Sequence, residues 1–230
     1  LFVKKSSEAK FLGALLLVAL ALVGVAIYPV LSKGTQPVQK PYTVPKLTRE
    51  DLIPKGSRMR GKKEAPIVLV EFGDYQCKTC SMATKEAEKL VDQHKDKLSM
   101  VFHHIQINAA HLNAPIMAQA ATAAECQGKF WEMHDLLFDS QDLFTSPDYH
   151  EAVEAAMKLA GRLKLDMTKF KADFESKTNH KPVEVDSRAA AQCSVEVTPQ
   201  FFVIRGTGAP TRFPSLDSFR EFAKNPANFR

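Results

Sequence analysis

The hydrophobic pattern divides the chain into three kinds of segment. Residues 11 to 31 form an apolar run of 21 positions without a charge, long enough as a helix to cross the roughly 30 Å of a bilayer's hydrocarbon. Pro66-Ile-Val-Leu-Val-Glu-Phe-Gly73 is short, nearly continuous, rich in β-branched residues and closed by glycine. It predicts a buried central strand. Helix formers follow from Ser81 to Gln93, and Leu98 to Ile107 predicts a second strand, so strand, helix and strand make a parallel βαβ unit.

From about 110 to 194 the spacing is almost entirely helical. Segments 114–126, 129–140, 149–160, 166–177 and 182–194 each set apolar or small residues three or four apart. Phe130, Trp131, Met133, Leu137 and Phe138 read as helix core. Gln200 to Arg205 returns to a strand, Arg212-Phe213 offers it a hairpin partner, and Ser215 to Lys224 predicts a closing helix. The expected fold is α/β, with a helical block inserted between strands.

Charge sharpens this organisation. The net +5 of the chain is uneven: residues 1–63 hold 12 Lys/Arg against three Asp/Glu, and the remainder is net acidic. The foldable part carries no basic stripe, which excludes nucleic acid as a partner. Lys4, Lys5 and Lys10 make residues 1–10 a basic flank to the apolar run. Residues 11–31 are then expected to be a single-pass membrane anchor, with Ala19-Leu20-Ala21 leaving a cleavable secretory signal as the alternative and a secreted product as its consequence. Residues 32–48, with Pro37, Pro41 and Pro45, predict an extended spacer, and 49–230 the folded domain.

The candidate chemistry is Cys77-Lys78-Thr79-Cys80 at a strand-to-helix junction. A sulfur at a helix start meets unpaired N–H groups and the positive end of the dipole, which favours thiolate. Cys77 is the expected nucleophile, Cys80 the resolving thiol, and Lys78 an added positive charge. A zinc site needs a second ligand pair, and neither the isolated Cys126 and Cys193 nor the histidines supply the spacing; no metal or organic cofactor is expected beyond a redox-active disulfide. Pro199 enters an otherwise core-like strand. It demands an edge, a bulge or a cis turn, and a cis Thr198-Pro199 bond would free the Thr198 backbone to meet an extended peptide, whereas a strand-initiating trans proline would not. Glu71 lies within the first strand, where a buried carboxyl would have a raised pKa and could relay a proton to Cys80; an edge position reaching solvent is the alternative. His103-His104 alternates faces, so one is expected in solvent and the other packed.

Taken together, Glu71-Phe-Gly-Asp-Tyr-Gln-Cys-Lys-Thr-Cys80, Gln127-Gly-Lys-Phe-Trp-Glu-Met-His-Asp-Leu-Leu-Phe138 and Val197-Thr-Pro-Gln-Phe-Phe-Val203 resemble the DsbA-like branch of the thioredoxin superfamily, most of all its membrane-anchored bacterial thiol-disulfide oxidoreductases. The resemblance implies a thioredoxin-like fold with an inserted helical subdomain and a single N-terminal transmembrane helix. It implies that Cys77 and Cys80 exchange disulfides with reduced exported proteins in the periplasm or extracellular space, that Thr198 and Pro199 face the substrate and that Glu71 is the buried acid. A membrane partner of the DsbB or vitamin K epoxide reductase type would reset the disulfide. In such a compartment Cys126 and Cys193 are expected to pair, two buried thiols being the alternative. Many relatives carry proline after the first cysteine where this chain has Lys78, so a reductase or isomerase of the same fold stays open, as does a tethered copper-binding domain.

Overall fold

The computed structural model describes residues 38–176 and 181–229. The expected flank at 1–10, the anchor or signal at 11–31 and the first part of the spacer lie outside the described residues. No helix among the described residues is long and apolar enough to cross a membrane.

Six strands form one sheet. In chain order they are β1 (Tyr42–Thr43), β2 (Met59–Arg60), β3 (Ile67–Gly73), β4 (Leu98–His104), β5 (Gln200–Arg205) and β6 (Thr211–Phe213), and they lie side by side as β1-β6-β5-β3-β4-β2. Strands β3 and β4 run parallel, with Glu71 opposite Phe102, and the other pairings are antiparallel. The helix between them is α2 (Lys78–Gln93), with the short α1 (Arg49–Leu52) earlier in the chain. Between β4 and β5 come α3 (Ala114–Glu125), α4 (Phe130–Asp139), α5 (Tyr149–Arg162), α6 (Met167–Glu175) and α7 (Lys181–Gln192), and α8 (Leu216–Lys224) closes the domain. A turn of 3-10 helix at Gln141–Phe144 links α4 to α5.

Alternation along the strands explains why both faces are buried. Ile67, Leu69, Met100, Phe102, Phe201 and Val203 point into the larger core, shared with α2, α8 and the inserted helices. Val68, Val70, Phe72, Val101, Phe202 and Ile204 point the other way, under Leu52 of α1 and Ala189 and Ala190 of α7. The alanines let α7 lie close to the sheet. Because the second face is covered, His103 and His104 are both buried, and the expectation of one solvent-facing histidine is corrected. His103 meets Asp186 at 2.7 Å and the Leu52 carbonyl at 2.8 Å, while His104 stacks on Tyr75.

The described part of the proline-rich spacer also differs from expectation. Tyr42 and Thr43 add an edge strand to β6, Val44 donates its N–H to the Pro210 carbonyl at 2.8 Å, and Thr48 caps α1 reciprocally with Asp51. The compact unit therefore begins at Gln39 rather than at residue 49. Proline spacing predicted resistance to packing, but an edge strand needs ladder bonds on one side only.

Candidate active site

Strand β3 ends on Gly73, where a Cβ would lie 2.5 Å from the Phe102 ring. Only glycine lets the chain turn there beneath Phe102. The next residues, Asp74-Tyr75-Gln76, carry it into α2, and Cys77 is the N-cap of that helix. Its sulfur accepts the Cys80 backbone N–H at 3.3 Å, which satisfies one of the orphan donors of the first turn. Across from it the Cys77 thiol reaches the Thr198 carbonyl at 3.8 Å, and the Thr198–Pro199 peptide is cis. The structure thus brings Cys77, Cys80, Thr198 and Pro199 together from ends of the chain more than a hundred residues apart.

The two sulfurs are electrostatically unlike. Hydrogen bonding from the Cys80 side chain, joined by the Cys80 amide and Thr198, outweighs partial burial and the charge of Asp74 and lowers Cys77 to about 6. Burial first, then the bond to Cys77 and the charges of Cys77 and Glu71, pushes the Cys80 thiol far up. The pair therefore consists of a half-buried thiolate former and a buried thiol that keeps its proton. Both are thiols in this structure.

Glu71 is fully buried on the α2 side of β3, which removes the solvent-reaching alternative. Thr84 of α2 donates its hydroxyl to Glu71 Oε1 at 2.7 Å, and Oε2 has no partner among the described residues. Burial, against the Thr84 bond and with the charges of Glu88 and Cys77 adding, raises the carboxyl to about 8. It is a neutral acid at pH 7, placed where its charge is felt by Cys80.

Two expectations are modified. Lys78 is exposed and paired with Asp142 of the 3-10 turn at 2.7 Å, so its charge goes to that carboxylate rather than to Cys77; Thr79 is exposed beside it. Cys126 and Cys193 form no disulfide with one another. Cys193 lies in the smaller core, where its thiol reaches the Asp51 carbonyl at 3.9 Å, whereas Cys126 caps α3 near Asp173 and Lys169. Cys193 is buried and Cys126 exposed, so the alternative of two buried thiols is corrected as well; sequence spacing carries no information on that.

Sequence reasoning passed over the loop that holds the site. Asp74, fully buried, accepts from Gln76 N–H at 2.7 Å and pairs with His111 at 2.9 Å. The Tyr75 hydroxyl meets His134 Nδ1 at 3.1 Å. The Gln76 side chain joins Asn113 N–H at 2.6 Å and the Phe144 carbonyl at 3.0 Å, and Gln141 donates to the carbonyls of Tyr75 and Cys77 at 2.8 and 3.0 Å. Each of these side chains fastens the cysteine loop to the helical insertion. Their only signal in the sequence was polar residues beside a C-x-x-C, with partners dozens of positions away.

Among the described residues, Glu88, His134 and Asp135 place ligand atoms within 4.8 Å of one another. The Arg60 guanidinium already bridges the two carboxylates, to Asp135 at 2.8 and 2.9 Å and to Glu88. The cation of this cluster is a side chain.

With that geometry in view, the comparisons define the class. The family model described as Thioredoxin matches residues 54–207; the chain belongs to this family, and it shares its fold with solved DsbA-like proteins. Oxidised BdbD from Bacillus subtilis superposes with a TM-score of 0.61 at 21% identity, over 81% of this chain and 97% of that one. Alpha-DsbA1 from Wolbachia pipientis superposes with a TM-score of 0.58 at 19% identity, over 74% and 89%. In sequence the chain is 34% identical over 150 residues to Na(+)/H(+) antiporter NhaA 3 of Salinispora tropica, a stretch covering 65% of this chain and 22% of that protein. The chain thus spans about a fifth of the length of that curated relative.

Proposed function

We propose that the protein is an extracytoplasmic thiol-disulfide oxidoreductase that gives its Cys77–Cys80 disulfide to reduced exported proteins. The observation that carries this reading is the inequality of the two sulfurs: Cys77 lowered to about 6, half-exposed and facing Thr198, against Cys80 buried and raised. A substrate thiolate attacks Cys77 Sγ; the Cys77–Cys80 bond breaks as the mixed disulfide forms, and Cys80 leaves with a proton from Glu71. A second substrate thiolate then attacks the substrate sulfur of the mixed disulfide and Cys77 leaves as a stable thiolate. A leaving thiol of low pKa drives the flow towards substrate oxidation. Lowered to about 6, Cys77 is the better leaving thiol of the pair, which favours oxidation of the substrate.

Thr198 and Pro199 are the substrate-facing edge in this proposal, and Lys78 and Thr79 are the exposed dipeptide that separates the two sulfurs. A relative named as an antiporter carries the matching stretch within a much longer chain, which supports a domain that works at a bacterial membrane. The apolar run at 11–31 would tether it there, and a partner of the DsbB or vitamin K epoxide reductase type would reoxidise it. Equilibration of the full chain against glutathione, with Cys77→Ser as control, tests the direction. A potential near or above about −150 mV supports an oxidant, and one near or below about −250 mV replaces it with a reductase. Stoichiometric Cu(I) binding without Cys77-dependent exchange would replace both with a copper carrier.

A further inference from the structure

The exchange chemistry requires one proton to enter the site each time the disulfide is reduced, because Cys80 ends as a thiol, and one to leave when the disulfide is restored. Glu71 can donate and accept that proton, but it is fully buried and its second oxygen has no partner among the described residues. Bulk water does not reach it directly. Some other group must carry the proton between Glu71 and the surface.

The neighbourhood of Glu71 contains one such group. Thr84, its hydrogen-bond donor, sits one helical turn before Glu88 on the same face of α2, a spacing that puts the two side chains side by side. Glu88 interacts electrostatically with Glu71. Its side chain is 16% exposed and that of its neighbour Asp135 is 36% exposed, so the two step outward from the sealed core. His134, fully buried, directs an unpartnered Nε2 at Glu88 Oε1 from 3.8 Å, and its other nitrogen meets Tyr75, two residues before Cys77.

We propose that Glu88, with Asp135, is the outer station of a proton path that reloads and unloads Glu71 during disulfide exchange. The inference rests on the exchange reading of Cys77 and Cys80 above. In the reductive half-cycle the Cys80 sulfur takes its proton from Glu71, the Glu71 carboxylate takes one from the Glu88 carboxyl, and Glu88 regains one from solvent at the Asp135 edge. The oxidative half-cycle runs the same transfers outward, with no change in electron count. Arg60 from β2 holds Glu88 and Asp135 together, while Asp139 and His134 from α4 and Asp92 from α2 complete the charged and titratable groups around them. Around Glu71 stand Thr84, Glu88, Tyr75, Cys77 and Cys80. Burial, then the bond to Asp135 and its charge, raises Glu88 to about 8, the same range as Glu71, so a proton can move between them without a steep step.

Glu88→Gln and Asp135→Asn in the full chain test the path. Infrared titration of the buried carboxyl band is expected to show two coupled steps in the wild type and one step at lower pH, by about half a unit to one unit, in Glu88→Gln. Single-turnover reduction of the disulfide at pH 6 is expected to keep its rate, because Glu71 starts loaded there in the variant as in the wild type. Multiple-turnover oxidation of a dithiol peptide, with oxidised glutathione as the terminal oxidant, is expected to slow at least threefold, with the loss deepening as pH rises and KM unchanged. Asp135→Asn, which leaves Glu88 in place, is expected to give a smaller loss of the same shape and guards against a folding defect in the first variant. An unchanged Glu71 titration together with a wild-type multiple-turnover pH profile in Glu88→Gln would overturn the path. Exchange that survives Cys77→Ser would instead remove the parent reading.

Discussion

Arg58 and Arg60 stand two residues apart, both reach towards α4, and both lie over an aromatic ring, Phe130 at 4.6 Å and Trp131 at 5.4 Å. Their surroundings differ. Arg58 binds Glu125 at 2.9 Å and Asp186 at 3.0 Å, with side chains of Arg58 and Asp186 only 8% and 5% exposed. Asp186 in turn meets His103 and the His104 N–H. This network ties the residues before β2 to α3, α7 and the back of β4; its Glu125 end is 36% exposed, while Arg58, Asp186 and His103 are buried together. Arg60 holds Glu88 and Asp135 in a cluster that is partly wet, leaves His134 Nε2 unpartnered and lies within electrostatic reach of Glu71. The buried Arg58–Asp186–His103 part can only hold elements together, because its charges cannot titrate without losing a partner in low dielectric. A network that reaches water and contains a neutral acid can also pass protons.

Removing one member of the buried Arg58–Asp186 pair should have the largest effect. Arg58→Ala is expected to cost about 3–5 kcal/mol in urea unfolding, because it strands buried Asp186. A cost as small as that of Arg60→Ala would erase the contrast between the two clusters. The next effect is in pH. Glu71 has its folded pKa raised from 4.5 to about 8, so the native state binds this proton more tightly than the unfolded chain. Stability from this group is complete below about pH 4.5, falls as pH rises towards about 8 and is level above that. Glu71→Gln is expected to flatten the slope and to be more stable than wild type at pH 9 by about 1–3 kcal/mol, measured as urea midpoints across pH. An identical slope in the variant would show that Glu71 ionises freely.

Arg60→Ala is expected to cost only about 1 kcal/mol, since the pair with Asp135 is partly screened by solvent. Its sharper readout is at neutral pH, where Glu88 loses the guanidinium that opposes its rise and more of it stays protonated. The smallest effect concerns Lys78, whose ion pair with Asp142 is largely in water. Lys78→Ala is expected to change stability by less than about 0.5 kcal/mol and to leave the pH of half-maximal Cys77 alkylation near 6. A rise of a full pH unit would restore the role that sequence adjacency assigned to this lysine.

The wet network was invisible in the sequence for a plain reason. Arg60, Glu88 and Asp135 are charged residues on a short strand and two helices, and each alone reads as a solvated surface position. Only the packing of α4 over α2 makes them one cluster. The C-x-x-C was legible because its chemistry is local: one residue supplies the N-cap and the other the amide three positions on. Strands β3, β4 and β5 and the inserted helices were legible because burial imposes a period on each element separately. Helix α2 begins at Lys78, ahead of the predicted Ser81, since an N-cap sulfur leaves no separate capping signal.

By itself the sequence determined the elements, the junction that activates Cys77, the apolar setting of Glu71 and the family. Those depend on neighbours within a few residues and on a side-chain period. The tertiary structure decided which distant groups share a space: Thr198 with Cys77, Glu88 with Glu71, both histidines under cover, and Cys193 buried while Cys126 is exposed. Contacts between elements depend on which face each helix covers, and pKa values depend on the dielectric that this covering creates, so neither is written in any single stretch of chain.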